Sequence, residues 1–176
     1  VMRRKSAEHM VHSKSTSPHV STVHEVDFTD VDEFRKKHKA EWQERGVKLT
    51  YLPFLTQAVA RALKAYPDLN ASLVDDKIHY KADVNIGLAV ALDNGLVVPV
   101  LHHADKLSIS EIAAGVSDLA DRARNKTLKP EEVQGGTFTI TNPGGFGTLI
   151  GTPIINQPQS GILCFGAVQK RVVVVP

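Results

Sequence analysis

Two glycines, five strand-forming residues and a proline–glycine run follow one another directly in GGTFTITNPGG, residues 135–145, and no other stretch restricts the fold as much. Thr137, Phe138, Thr139, Ile140 and Thr141 are β-branched or aromatic, and a short run of that kind between turn residues predicts a strand. Asn142 and Pro143 end it, because proline has no N–H to give to a ladder. Gly144, Gly145 and Gly147 then allow positive φ or close approach of the backbone to a ligand. The Thr141 hydroxyl is thereby placed at a strand end beside a glycine loop. On local grounds such a hydroxyl ordinarily caps a turn or bonds nearby backbone.

The rest of the chain supplies elements that pack around that strand. Residues 3–14 predict a helix with Ala7, Met10 and Val11 as its apolar side, broken by Pro18. Residues 19–28 alternate, with Val20, Thr22, His24, Val26 and Phe28 on one face, and predict a half-buried strand. Thr29 opens a polar helix in which Phe34, His38 and Trp42 recur every four residues and Gly46 is the stop. Thr50 and Pro53 start a third helix, whose stripe of Leu52, Leu55, Val59, Ala62, Leu63 and Tyr66 should pack flat on a sheet.

Residues 70–74 and 77–80 predict a hairpin turning at Asp75-Asp76. Residues 84–92 alternate large with small side chains, and the Asn94-Gly95 pair predicts antiparallel pairing of that strand with residues 96–101. Ser108 and Glu111 form a capping box ahead of a helix with Ile109, Ile112, Ala113, Val116, Leu119, Ala120 and Ala123 at helical spacing. Residues 129–132 turn the chain back into the strand at Thr137. Residues 161–175 predict one or two further strands. The sum is an α/β fold, a sandwich of a mixed sheet with helices packed on it.

Several function classes are disfavoured by composition. A net charge of +2 over 176 residues gives no bulk electrostatic footprint for nucleic acid. Cys164 is the only cysteine, so no intrachain disulfide or cysteine-rich metal framework is possible. It lies in the apolar run 162–165 and reads as a small packed hydrophobe. No secretory signal and no run long enough to span a bilayer is present. Metal binding is not expected: of the eight histidines only His102 and His103 adjoin, and neighbours on a strand point to opposite faces. His19 and His24, near a predicted strand, read first as structural. No Walker-type, H-E-x-x-H, G-x-S-x-G or dinucleotide fingerprint occurs.

The segment TFTITNPGGFGTLIGTPIINQPQSGIL resembles that of the catalytic core of dihydrolipoyl acyltransferases of 2-oxo acid dehydrogenase complexes. RRKSAEHMVHSKSTSPHV at 3–20, GVKLTYLPFL at 46–55, YPDLNAS at 66–72 and DNGLVVPVLHHAD at 93–105 agree with that family in the same order. The resemblance covers nearly the whole chain. It implies a two-layer, chloramphenicol acetyltransferase-like fold and a hydroxyl at Thr141 that hydrogen-bonds the oxyanion of a tetrahedral intermediate. It implies coenzyme A as substrate, with Asn142, Gly144 and Gly145 as candidate contacts because they adjoin Thr141, and a lipoyl group presented by a separate domain. Gln57 stands where the family often has lysine, which weakens the case for that helix giving positive charge to coenzyme A.

The resemblance further implies trimers that build a larger core, partnership with a lipoyl domain, a 2-oxo acid decarboxylase and dihydrolipoyl dehydrogenase, and a bacterial cytoplasm or mitochondrial matrix. The family's general base is a histidine in a D-H-R-x-x-D-G motif, and residues 1–176 contain no such motif. The expectation is therefore one acyltransferase core domain over 1–176 that lacks its C-terminal part, without lipoyl or subunit-binding domains, and inactive alone. Were this chain active alone, His19 would be the first candidate base. T-I-T-N followed by F-G-T-L and P-I-I-N-Q-P-Q-S leans toward succinyl-transferring members over acetyl or branched-chain ones. The alternatives are a non-catalytic oligomeric scaffold of the same fold and a stand-alone acyl-coenzyme A transferase.

Overall fold

Residues 2–93 and 95–174 are described by a computed structural model. The strand predicted after Gly136 is β7, Phe138–Thr141, and it lies inside a four-stranded sheet of order β6-β3-β7-β8. β3 is Ile86–Leu88, β6 is Val100–Leu101 and β8 is Ile162–Cys164. β3 and β8 run parallel to β7, whereas β6 runs antiparallel to β3, so the sheet is mixed. Two hairpins flank it: β1, Ala71–Val74, with β2, Lys77–Tyr80, and β4, Val90–Leu92, with β5, Gly95–Val97.

Register sorts the sheet by polarity. Ile86 stands beside Phe138 and Leu88 beside Ile140, and these side chains join the core with Val59, Leu63, Ile112, Val116 and Leu119 from two helices. Those helices are α3, Leu52–Ala65, and α4, Ile109–Arg124, which also pack against each other. The result is two layers, as expected. Ile86 and Ile112 are fully buried, each contributing about 2–3 kcal/mol by removal from water. The α4 capping box forms as predicted: Ser108 Oγ accepts from the Glu111 N–H, and the Glu111 carboxylate accepts from the Ser108 N–H.

Other predictions hold with adjustments. The first two helices are α1, Met2–Thr16, and α2, Thr29–Glu44, the latter stopping before Gly46 at φ +76°. Asp75 and Asp76 both adopt left-handed φ and turn the first hairpin. The strand expected over 84–92 breaks at Ala89, although its N–H still bonds the Ile140 carbonyl of β7 at 2.9 Å. Its pairing with 96–101 survives as two short ladders separated by Val98 and Pro99. Asn94, on which that hairpin reading rested, lies outside the described residues. The turn at 129–132 is a 3₁₀ turn over Pro130–Val133, tied to α4 by a two-pronged Arg122–Glu132 bond at 2.6 and 2.7 Å.

Two expectations fail. Residues 19–28 form no strand: Val20, Val23 and Val26 are exposed, and among the described residues no backbone ladder reaches them. An alternating pattern marks a face, but a strand also needs a neighbour's N–H and C=O groups. Of the one or two strands expected over 161–175, one forms among the described residues, β8, and Val172, Val173 and Val174 beyond it are exposed; Val175 lies outside them. The apolar sides of two helices are also rotated from expectation. In α1 it is Ser13, not Val11, that is buried, and in α3 the covered face is Pro53, Thr56, Val59, Ala60 and Leu63, leaving Ala62 and Tyr66 outside. Among the described residues no helix is long and apolar enough to cross a membrane.

Candidate active site

β7 carries threonines at alternate positions, so Thr137, Thr139 and Thr141 share the face opposite α3 and α4. Thr137 and Thr139 are buried and Thr141 is half-buried. The Thr139 hydroxyl donates to Gln159 Oε1 at 2.6 Å, and Gln159 Nε2 donates to the Gly136 carbonyl at 3.0 Å. Gln159 is itself buried and lines a cavity of about 220 Å³ between the sheet and residues 156–159. It was not singled out in the sequence. The available signal was the threonine alternation, because buried hydroxyls need partners.

Thr141 differs from its two companions. Its backbone is fixed: it pairs with Cys164 in the β7–β8 register, and its carbonyl accepts the Phe165 N–H at 2.8 Å. Its hydroxyl makes no hydrogen bond among the described residues. Beyond it the chain turns through Pro143–Phe146 to Gly147, whose φ of +83° suits glycine. Gly144 donates to the Phe165 carbonyl at 3.2 Å, and Ala167 donates to the Thr148 carbonyl at 2.8 Å. The loop therefore lies flat on residues 165–167.

The three candidate contacts beside Thr141 have different surroundings. A side chain at Gly144 would meet the Gly166 backbone at 2.4 Å, so that glycine is needed for packing. Gly145 has open space around it, and Asn142 is exposed with no side-chain cap bond. Burial pushes the half-buried Cys164 thiol up, consistent with a packed small hydrophobe.

No histidine hydrogen-bonds this hydroxyl among the described residues. His19 Nε2 accepts the Ile155 N–H at 3.0 Å and Nδ1 lies 2.7 Å from the Ser17 carbonyl. A backbone N–H can only donate and a carbonyl can only accept, so the network assigns a neutral ring protonated at Nδ1. Both nitrogens are occupied in tethering the end of α1 to the loop before Gln159. Ser13 Oγ donates to the Ile155 carbonyl at 2.6 Å and Gln157 Nε2 donates to Ser17 Oγ at 2.6 Å in the same junction. His103 pairs with Asp83 at 3.1 Å, and His38 stacks on Phe34. Among the described residues no group of three or more histidine, cysteine or acidic side chains could hold a metal ion.

A second feature was missed in the sequence. Arg35, Lys39, Gln43, Val47, Lys48, Leu49 and Thr50 line a cleft of about 220 Å³ between α2 and the segment leading into α3. The Arg35 guanidinium lies over the Tyr51 ring at 4.6 Å. Arg35 Nη2 donates to Asp32 at 2.9 Å and to the Tyr51 hydroxyl at 3.3 Å, and Tyr51 donates to Asp32 at 2.6 Å. Lys36 Nζ lies 2.5 Å from the other Asp32 oxygen. Lys36 first, then Tyr51 and Arg35, hold the Asp32 carboxyl far below the usual carboxylate range. Arg35 Nε is buried without a partner, and Nη1 makes no hydrogen bond among the described residues.

The cleft and Thr141 are joined by aromatic contacts. Tyr51 meets Phe28 at 6.0 Å and Phe165 at 6.5 Å, and Phe28 meets Phe165 at 5.4 Å. Phe165 is the residue whose N–H holds the Thr141 carbonyl.

The family described as 2-oxoacid dehydrogenases acyltransferase (catalytic domain) matches residues 1–176. The acetyltransferase component of the pyruvate dehydrogenase complex of Corynebacterium glutamicum is 48% identical over 99% of the chain and 26% of its own length. The succinyltransferase component of the 2-oxoglutarate dehydrogenase complex of Bacillus subtilis is 45% identical over 98% and 42%. The chain thus spans well under half the length of these curated relatives. A probable dihydrolipoamide acetyltransferase from Listeria monocytogenes has the same fold, with a TM-score of 0.96 and 41% identity over 99% of this chain and 75% of that one. The chloramphenicol acetyltransferase-like fold expected above is the fold of such cores.

Proposed function

The chain belongs to the 2-oxoacid dehydrogenase acyltransferase catalytic-domain family, and from that premise we propose that its protein transfers an acyl group between a dihydrolipoyl thiol and the thiol of coenzyme A. The observation that carries the assignment to a site is the Thr141 hydroxyl, unpartnered on a backbone held from both sides. A base takes the proton of the attacking thiol, and the thiolate adds to the thioester carbonyl. Negative charge collects on the carbonyl oxygen, where the Thr141 O–H donates. Collapse expels the second thiolate, which takes back the proton. One donor of this kind contributes about 3 kcal/mol to the transition state.

We assign the base to a histidine of the family's D-H-R-x-x-D-G motif in the full-length protein and not to His19, whose two nitrogens are occupied. The carrier's thiol end belongs at Thr141, with Asn142 and Gly145 open beside it. Its phosphates suit the cationic cleft, where Arg35, whose Nη1 makes no hydrogen bond among the described residues, lines the wall with Lys39 and Lys48. The aromatic contacts of Tyr51 and Phe165 support a single carrier reaching from one to the other. On this reading the protein assembles with copies of itself and works with a lipoyl domain, a 2-oxo acid decarboxylase and dihydrolipoyl dehydrogenase in a reducing compartment. Both curated relatives are components of such complexes.

An acetyltransferase and a succinyltransferase match the chain about equally, so likeness favours the chemistry and not the acyl group. The succinyl reading rests on the loop sequence after Thr141. The test is acyl transfer to dihydrolipoamide by the full-length protein with acetyl-, succinyl- and branched-chain acyl-coenzyme A. Thr141→Val should lower kcat about 100-fold or more, and Thr141→Ser should keep most of it. Unchanged turnover in Thr141→Val would overturn the assignment. Absence of transfer with every thioester would favour the same fold acting as a non-catalytic scaffold.

A further inference from the structure

The clamp on Arg35 exceeds what helix α2 needs for its own stability. α2 buries none of its residues, yet Asp32 gathers three donors from three side chains, one of them 19 positions away on Tyr51. Tyr51 contributes twice, as a hydroxyl to Asp32 and as a ring beneath the guanidinium. Nη2 is thereby committed, which fixes the guanidinium plane and leaves Nη1 without a hydrogen bond among the described residues, in a residue that lines the cleft. An unclamped arginine on an exposed helix samples many rotamers, and ordering it on binding costs about 1–2 kcal/mol.

We propose that Asp32 and Tyr51 are positioning residues for the phosphate-bearing end of the carrier. They pre-set the Arg35 guanidinium so that a phosphate entering beside Lys39 and Lys48 finds its N–H groups already aimed. This rests on the reading that the cleft takes the phosphates of coenzyme A. The charge of Asp32 does not oppose that reading, because Arg35 and Lys36 offset it within the clamp. Binding then loses less side-chain entropy, the general advantage of pre-organisation. The effect belongs to the phosphates and not to the thiol.

The test compares coenzyme A with pantetheine, which has the same thiol and no phosphate-bearing end, as acyl acceptors for the full-length protein. The readout is the ratio of kcat/KM for the two. Asp32→Asn should lower that ratio about tenfold, with the loss in the KM for coenzyme A. Tyr51→Phe, which keeps the ring, should lower it about threefold. Asp32→Glu should restore part of the Asp32→Asn loss. An unchanged ratio in Asp32→Asn, or an equal fall with both acceptors, would overturn the proposal, the second because it marks general structural support. Arg35→Ala separates the layers. A large fall in its ratio with none in Asp32→Asn sinks only the positioning role; no fall in Arg35→Ala sinks the cleft reading and this proposal with it.

Discussion

Along β7 the two faces of the sheet can be compared residue by residue. Phe138 and Ile140 point into a layer of α3 and α4 side chains and are held by contact area alone. Thr137, Thr139 and Thr141, one position away in each case, point into the opposite layer, where the Thr137 hydroxyl accepts from the Asn85 N–H and donates to the Asn85 carbonyl and the Thr139 hydroxyl donates to Gln159. The apolar side is complete within its own elements and tolerates no lost volume. The polar side is assembled from loops, and it ends in one hydroxyl that makes no hydrogen bond among the described residues. The contrast supports the proposal for Thr141: a strand whose inner face fixes its position has an outer end left for a ligand.

Breaking the apolar side should have the largest effect. Ile112→Ala removes a fully buried side chain from α4 and should cost about 4 kcal/mol in urea unfolding. Thr139→Val tests the polar side at nearly constant volume. It strands Gln159 Oε1 in a buried position and should cost about 2 kcal/mol. Thr141→Val, by contrast, should change unfolding by no more than about 0.5 kcal/mol while abolishing most turnover. A stability loss at Thr141 equal to that at Thr139 would erase the distinction between the two hydroxyls.

The smallest effect is electrostatic and lies at the edge of the helical layer. Arg122 first, and then the Lys129 backbone N–H, hold Glu132 down to about 2 from its ordinary 4.5. The folded carboxyl thus binds its proton only at lower pH than the unfolded one. Its contribution is present above about 4.5 and is lost as pH falls toward about 2. The urea midpoint difference between the parent and Glu132→Gln should therefore shrink across that window and stay constant above it.

What could be read from the sequence was local. The Ser108 box, the Asp75-Asp76 turn and β7 are each specified by residues within a few positions of one another. The Thr141 hydroxyl was legible for the same reason, since its strand end and glycine loop are contiguous. Residues 19–28 misled because a strand is completed by a partner elsewhere in the chain. Gln159 and the Arg35 cleft were hidden for a related reason. Each depends on a partner 16 to 20 positions away, Thr139 in one case and Tyr51 in the other, and no periodicity records such a meeting. Gln57 weakened the case for α3 as a source of positive charge, and the cations of the cleft stand on α2 and just beyond it, at Lys48.

The junction of α1 with residues 155 and 157 has a consequence for the order of folding. Ser13 and His19 bond Ile155 across 142 and 136 positions of chain. Contacts of that separation close very large loops, and they are slow to form and late to be rewarded. As the chain is synthesised from its N-terminus, the first helix must wait for residue 155 before these anchors exist. The α3–α4–sheet unit, built from much closer segments, can by then be in place. Of the elements described, the earliest in the chain is thus among the last to be fixed, and a nascent chain paused before residue 155 should carry α1 as an undocked segment open to proteases.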